Sequence, residues 1–291
     1  MDIEVLNAKS FTDTVKKLKK DGNKGDNGLL TAVCGSARYR GASALAVGAA
    51  MRTGCGIVRL VSVEKAAACT ASRHPGATFY PVSENDDGMI HASAAEAVRV
   101  SALGSTAFLC GCGLGVSADT AAIVSAVAAY AKNVVFDADA LNIFAQCPEI
   151  LQSVRGRYIV TPHVGEMSRL TGLSIADIKL DPVKVAREFS LKYGCTTVLK
   201  DHEIYVSSEN GEVCKSSLGC EGLAKGGSGD VLAGFIAGFL ARGYTTYEAA
   251  RVGCVLHGLS AKAAAEEKGQ TAMLAEELED YAPSVLKSLG Y

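Results

Sequence analysis

The run Gly219-Cys220-Glu221-Gly222-Leu223-Ala224-Lys225-Gly226-Gly227-Ser228-Gly229-Asp230 leads without a break into Val231-Leu232-Ala233-Gly234-Phe235-Ile236-Ala237-Gly238-Phe239-Leu240. The second stretch repeats apolar residues at helical spacing, and the first places three glycines within four positions at its end. Glycines that open a helix leave backbone N–H groups unpaired and aimed at one point, with the positive end of the helix dipole behind them. That is an anion site. Asp230 at its edge makes sense as a group that handles a proton or organises a cation. A plainer reading is a tight loop in which Ser228 or Asp230 merely caps the helix, but a cap needs one polar residue and not three glycines. Gly222 to Ser228 fits part of the P-loop spacing, yet Gly227 is followed directly by Ser228, so the lysine of a Walker A loop is missing.

Outward from this helix, apolar runs alternate with helical patterns. Strands are predicted at residues 29–34, 56–63, 106–110, 133–136, 157–160 and 196–200, with a hairpin of 203–207 and 212–216 around Asn210-Gly211. Helices are predicted at 42–53, at 117–130 with Ser117 as N-cap, at 165–170, and from Asp181-Pro182 onward. Three more follow at 228–241, 246–267 and 273–286, the last interrupted at Pro283. The pattern is that of an α/β protein, three-layered, with a mostly parallel central sheet covered by helices on both faces. No linker or composition shift divides residues 1–291, which read as a single domain.

Nearly half of the 291 residues are hydrophobic, enough for a sizeable core, and the formal charge of −2 argues against nucleic acid or an anionic membrane as the main partner. The basic run Lys16-Lys17-Leu18-Lys19-Lys20 reads as the solvated face of an N-terminal helix. No stretch approaches the roughly 18 apolar residues of a membrane span, and no signal peptide is evident, so a cytoplasmic protein is expected. The ten cysteines include no C-x-x-C pair and sit in apolar or glycine-rich runs, which excludes a zinc cluster by spacing and points to reduced thiols.

In open parallel sheets the ligand crevice lies beyond the carboxyl ends of the strands. Six polar or glycine-rich segments fall there: 35–41, 111–115, 137–142, 161–166, 200–203 and 226–230. Gly111-Cys112-Gly113-Leu114-Gly115 is not the dinucleotide fingerprint, because its third glycine comes one residue early; it is either a place of close backbone approach or a simple turn. Asp137 and Asp139 would share a side if their strand continued; one could cap the next helix and the other sit near magnesium through water. In Thr161-Pro162-His163-Val164-Gly165-Glu166, His163 and Glu166 could equally be a helix cap and a dipole partner.

Taken together, these segments resemble the ribokinase-like superfamily, in which a G-x-G-D run supplies an anion hole and a catalytic aspartate. More closely, the chain resembles the ADP/ATP-dependent NAD(P)H-hydrate dehydratase family, over almost its full length, in residues 35–42, 111–115, 136–142, 161–166 and 226–234. The resemblance implies a hydro-lyase that repairs hydrated NADH or NADPH: an adenine nucleotide phosphorylates the ring hydroxyl, and phosphate then leaves. It implies Asp230 as general base at the substrate, and Ala42, Gly113 and His163 as further substrate contacts. For the nucleotide, ADP or ATP, it implies Lys200, Asp201, His202, Glu203 and Ile204 together with Gly226, Gly227, Ser228 and Gly229. Mg2+ is implied with the phosphates, anchored by Glu166 through water, and the assembly implied is a homo-oligomer, a tetramer. A ribokinase-like kinase for a hydroxymethylpyrimidine or a hydroxyethylthiazole is the alternative activity, and a nucleotide-binding regulator without catalysis a third. The chain departs from the family pattern at residues 23–27, at Cys112 (usually proline), Cys220 (asparagine), Lys225 (threonine) and Asp201 (glycine).

Overall fold

The computed structural model describes residues 3–291. Ten strands form one sheet: β1 (Glu4–Val5), β2 (Leu29–Val33), β3 (Ile57–Val63), β4 (Thr78–Val82), β5 (Ala107–Cys110), β6 (Asn133–Phe136), β7 (Arg157–Val160), β8 (Thr196–Lys200), β9 (Ile204–Ser207) and β10 (Val213–Ser216). Their order across the sheet is β1-β10-β9-β8-β7-β6-β5-β2-β3-β4. From β8 to β4 every neighbouring pair is parallel, while β9 runs antiparallel to both β8 and β10.

Side chains along the central strands alternate between two cores. Leu30, Ala32, Val135 and Ile159 face one, and Val33, Val134, Phe136 and Val160 the other. This period of two, with both faces apolar, is what makes the parallel strands continuous hydrophobic runs. Helices Ala8–Thr14, Arg40–Arg52, Ser228–Ala241, Thr246–Lys268 and Glu277–Ser288 pack over the first core, while Ala95–Ala102, Ala118–Tyr130, Asp139–Gln146 and Pro182–Tyr193 cover the second. The three-layer expectation holds.

Helix Ser228–Ala241 lies against Arg40–Arg52 at very short range, and two glycines make that approach possible. A Cβ at Gly234 would fall 2.3 Å from the Ala46 carbonyl oxygen, and one at Gly238 would fall 2.3 Å from Thr53 Oγ1. The same layer holds an ionisable cluster. Glu279, 1% exposed, accepts a hydrogen bond from Arg73 at 3.2 Å and lies 3.5 Å from His74 Nε2. Its Oε2 has no partner among the described residues and occupies the space a side chain at Gly48 would need. Burial pushes the Glu279 carboxyl up to about 7, with Arg73 pulling the other way.

Three expectations are corrected. Lys16–Lys20 is exposed but not helical, because the N-terminal helix ends at Thr14; Lys16 is pinned in a non-helical segment by the Tyr244 hydroxyl on its N–H and by Arg242 on its carbonyl. The C-terminal helix starts later and runs through Pro283 as Glu277–Ser288. Strands β1 and β4 were not foreseen; two residues are too few to show a period, and Thr78–Val82 contains Pro81 and little apolar alternation. No helix of the described residues is long and apolar enough to cross a membrane.

The chain progresses from β2 through β3 to β4 in one direction, then returns to the other side of β2 and proceeds through β5, β6, β7 and β8 in the opposite one. The reversal opens a crevice between the carboxyl ends of β2 and β5.

Candidate active site

Helix Ser228–Ala241 begins at this crevice. Its N-cap is Gly227, in the left-handed region at φ +96°, and no side chain caps it. The N–H groups of Gly226, Gly227, Gly229 and Asp230 find no protein acceptor among the described residues. The capping alternative for Ser228 and Asp230 is thereby excluded, and four free amides remain at the positive end of a 14-residue helix. His257, buried in helix Thr246–Lys268, braces this turn through its Nε2, 3.0 Å from the Ser228 carbonyl oxygen. Burial draws the His257 ring down to about 4, so it is neutral near pH 7.

Asp230 stands half-buried next to these amides. Its carboxylate, Asp137 and the Cys112 thiol place one ligand-type atom each within 4.8 Å of one another. Burial, reinforced by the neighbouring Asp137 charge, pushes the Asp230 carboxyl up to about 7. Cys112 is fully buried, and its contact with Cys34 followed by its burial raises its thiol well above the ordinary value. All ten cysteines are free thiols.

Asp137 and Asp139 do not share a side. The strand stops at Phe136, and Ala138, with φ +53° and ψ −113°, is the one non-glycine residue with positive φ among the described residues. This strained link separates the two carboxylates. Asp139 opens helix Asp139–Gln146 without capping it, and its Oδ2 accepts the Gly115 N–H at 2.8 Å. Asp137, 2% exposed, accepts on Oδ1 from Lys200 Nζ at 2.8 Å and from Thr161 Oγ1 at 2.5 Å. Burial opposes the Lys200 charge, but Asp137 and Glu166 outweigh it and leave the ammonium above its usual pKa. Lys200 Nζ lies 3.4 Å from where a Cβ on Gly229 would stand, so the ammonium borders the amide cluster.

The remaining segments close the crevice. Gly35 N–H donates to the Cys112 carbonyl at 2.8 Å, tying the ends of β2 and β5. Gly113, at φ +62°, leaves room for Ala42 and Tyr39, whose Cβ atoms would lie 2.6 and 2.8 Å from a side chain there. Ala42 and Gly113 therefore stand together. His163 caps helix Val164–Thr171, its Nδ1 accepting from Gly165 N–H at 2.9 Å and Glu166 N–H at 3.3 Å. The rest of its ring is half-exposed at the crevice, and burial followed by the Lys200 charge lowers its pKa. Glu166 returns the cap through Oε2 to His163 N–H at 2.8 Å, while Oε1 stays 3.6 Å from the His163 ring. Burial, with Lys200 opposing it, pushes Glu166 up to about 7.

The segment after Lys200, expected to line the nucleotide, divides. Asp201 faces Lys179 at 3.2 Å, and Glu203 is held by Ser217, Lys215 and Tyr205, which bring its carboxyl down to about 2. His202 is exposed, and Ile204 packs on the core below. Of these five side chains, Lys200 alone reaches the amides. Cys220 and Lys225 both meet the segment 270–273: Lys225 Nζ donates to the carbonyls of Thr271 (2.7 Å) and Met273, and Cys220 Sγ lies 3.8 Å from Met273 Sδ. Sequence reasoning missed the Lys200–Asp137 pair and the His257 brace. The first joins residues 63 apart, one just past the end of β6 and the other at the end of β8, and the second is a lone histidine in an apolar helix.

A cation and free amides gather around a carboxylate at the switch point of a parallel sheet, an arrangement suited to an anionic group. The fold is shared with a ribokinase-like superfamily protein of Enterococcus faecalis, which superposes with a TM-score of 0.84 at 24% identity, covering 98% of this chain and 96% of that one. The ADP/ATP-dependent NAD(P)H-hydrate dehydratase of Bacillus subtilis, crystallised with ATP and Mg2+, superposes with a TM-score of 0.84 at 26% identity, covering 99% of each chain. A family model for NAD(P)H-hydrate dehydratase matches residues 30–284, and the chain belongs to that family. It is 34% identical over 268 residues to an ADP-dependent (S)-NAD(P)H-hydrate dehydratase of Neisseria meningitidis, covering 91% of this chain and 86% of that protein. It is 33% identical over 272 residues to a bifunctional NAD(P)H-hydrate repair enzyme of Thermofilum pendens, covering 93% of this chain but 52% of that one. The chain thus spans about half the length of the bifunctional relatives.

Proposed function

We propose that the protein is an ADP- or ATP-dependent (S)-NAD(P)H-hydrate dehydratase, acting through one ribokinase-like domain. The observation that carries this reading is the uncapped helix start, where free amides of Gly226, Gly227, Gly229 and Asp230 meet the Asp230 carboxylate and the Lys200 ammonium. Amides aimed at one point stabilise charge on a phosphoryl group in flight, and the carboxylate beside them takes the proton of the attacking hydroxyl. A ring hydroxyl is a poor leaving group in neutral water. Its oxygen bonds to the terminal phosphorus of the nucleotide as the bond from that phosphorus to the bridging oxygen breaks, releasing ADP from ATP or AMP from ADP. The carbon–oxygen bond then breaks with its electron pair leaving on phosphate. The neighbouring carbon loses a proton and the ring double bond returns.

The hydrated nicotinamide would lie against Ala42, Gly113 and His163, with its hydroxyl toward Asp230. The nucleotide phosphates would take the amides and Lys200. Mg2+ fits the donors present: Glu166 Oε1 is free of a hydrogen bond and is a hard oxygen ligand, able to hold the ion through water while phosphate oxygens complete its shell. The ion would neutralise phosphate charge there. By analogy with the family, a cytoplasmic homotetramer is part of the same reading, to be checked by sedimentation.

The test is recovery of the near-ultraviolet absorbance of reduced nicotinamide from purified hydrate, with ADP and ATP run in parallel and Mg2+ present. The reading requires recovery only when nucleotide is added. Absence of recovery with either nucleotide, or a phosphorylated product that persists in the mass spectrum, would overturn it in favour of a simple kinase.

A further inference from the structure

Lys200 reaches the amides only because something holds it there. Its side chain is 18% exposed, three N–H donors crown its ammonium, and one of them is spent on Asp137. Asp137 Oδ1 also takes the Thr161 hydroxyl, so the carboxylate is itself fixed by a neighbouring strand end. The backbone is engaged in the same way: Lys200 N–H donates to the Pro162 carbonyl at 2.8 Å, and His163 bridges to Lys200 at the edge of β8. Ala138, strained immediately after Asp137, turns the chain so that Asp139 leaves for Gly115 while Asp137 stays under the ammonium.

We propose that Asp137 is a positioning residue for phosphoryl transfer, holding the Lys200 ammonium at the mouth of the Gly226–Asp230 amides so that its free donors meet the transferring phosphoryl group. Lys200 is the residue that touches the reacting atoms, and Asp137, braced by Thr161, acts through it. The inference rests on the phosphoryl-transfer reading above. A long lysine stem samples many rotamers in water, and an ion pair with a buried partner removes that freedom before the nucleotide arrives. A buried ion pair is by itself weak evidence for stability. Its placement next to unpaired amides is what gives it a catalytic use.

The test uses the full chain, the hydrate and saturating ADP or ATP with Mg2+. Asp137→Asn should lower kcat by about 10- to 100-fold while the nucleotide KM moves by no more than about threefold, the signature of an interaction made in the transition state. Lys200→Met should lose at least as much, and Asp137→Asn combined with Lys200→Met should lose no more than Lys200→Met alone, because both act through one ammonium. Thr161→Val keeps both charges and should lower kcat severalfold, which preserves the test if Asp137→Asn does not fold. Unchanged kcat in Thr161→Val and Asp137→Asn overturns the proposal. So does additive loss in the double variant, or a rise in nucleotide KM that accounts for the whole effect. An inactive wild-type protein would instead overturn the functional reading.

Discussion

Replacing Asp230 by asparagine should make the protein more stable and nearly inactive at once. The folded carboxyl stands at about 7 against an ordinary 3.8, because it is buried and faces Asp137. A rise of roughly three in pKa corresponds to about 4 kcal/mol, at about 1.36 kcal/mol for each. Discounted for the part of the side chain that meets solvent, about 2–3 kcal/mol remains. Between about pH 4 and pH 7 the folded protein binds more protons at this site than the unfolded chain, so stability falls as pH rises through that window. Asp230→Asn removes this term. It should therefore gain about 2–3 kcal/mol at about pH 8 and almost nothing near pH 4, while kcat falls by about 100- to 10,000-fold. Tryptophan is absent, so urea unfolding is best followed by far-ultraviolet circular dichroism at both pH values. In the wild type, kcat/KM should fall about tenfold per pH unit below about 7 as the base protonates. A variant no more stable than wild type at the higher pH, or a gain equal at both, would refute the assignment of a desolvated, charge-crowded carboxylate.

Other outcomes follow from features away from the reacting atoms. Glu279→Gln should stabilise the protein by up to about 3 kcal/mol above about pH 7 and much less near pH 4.5, measured by the same unfolding series, because burial raises that carboxyl from 4.5 to about 7. Gly234→Ala should cost about 1–3 kcal/mol, seen as a lower Tm, since its methyl would meet the Ala46 carbonyl oxygen at 2.3 Å. Ala138→Gly should raise stability by about 1 kcal/mol, as glycine adopts φ +53° without the strain an alanine carries; an unchanged or lower Tm would argue against that strain.

The sheet and the anion site were legible in the sequence for different reasons. Strands such as Asn133–Phe136, Arg157–Val160 and Thr196–Lys200 announce themselves because both faces are buried along all but one terminal residue of each, which keeps those stretches mostly apolar. The glycine cluster at residues 226–229 is legible because few backbone conformations need three glycines in four positions. The edge strands were not, since Glu4–Val5 has no periodicity and Thr78–Val82 is half in solvent. In the site, Ala42 stands beside Gly113 and Asp230 beside the amides, while the reading of 200–204 as one ligand-lining strip did not anticipate how the side chains divide. In the bend between β8 and β9 nearby cations draw Asp201 to Lys179 and Glu203 to Lys215, Ile204 packs on the core, and Lys200 turns to Asp137. Asp137 and Asp139 parted for a backbone reason, the single reversal at Ala138, that no spacing rule contains.

The two margins of the sheet carry a last consequence. One ends in a strand of two residues, Glu4–Val5, and the other in Thr78–Val82, where Pro81 withholds an N–H and Arg59 stacks over the Tyr80 ring. A foreign strand seeking a template would find at one border too short a row of hydrogen-bonding groups and at the other a broken one. A large parallel sheet assembles slowly from distant parts of the chain and stays vulnerable to wrong partners while it does. Here the borders that form the outermost rows are the ones least able to recruit a stranger, so an aggregating substitution is to be sought first at Pro81 rather than in the core.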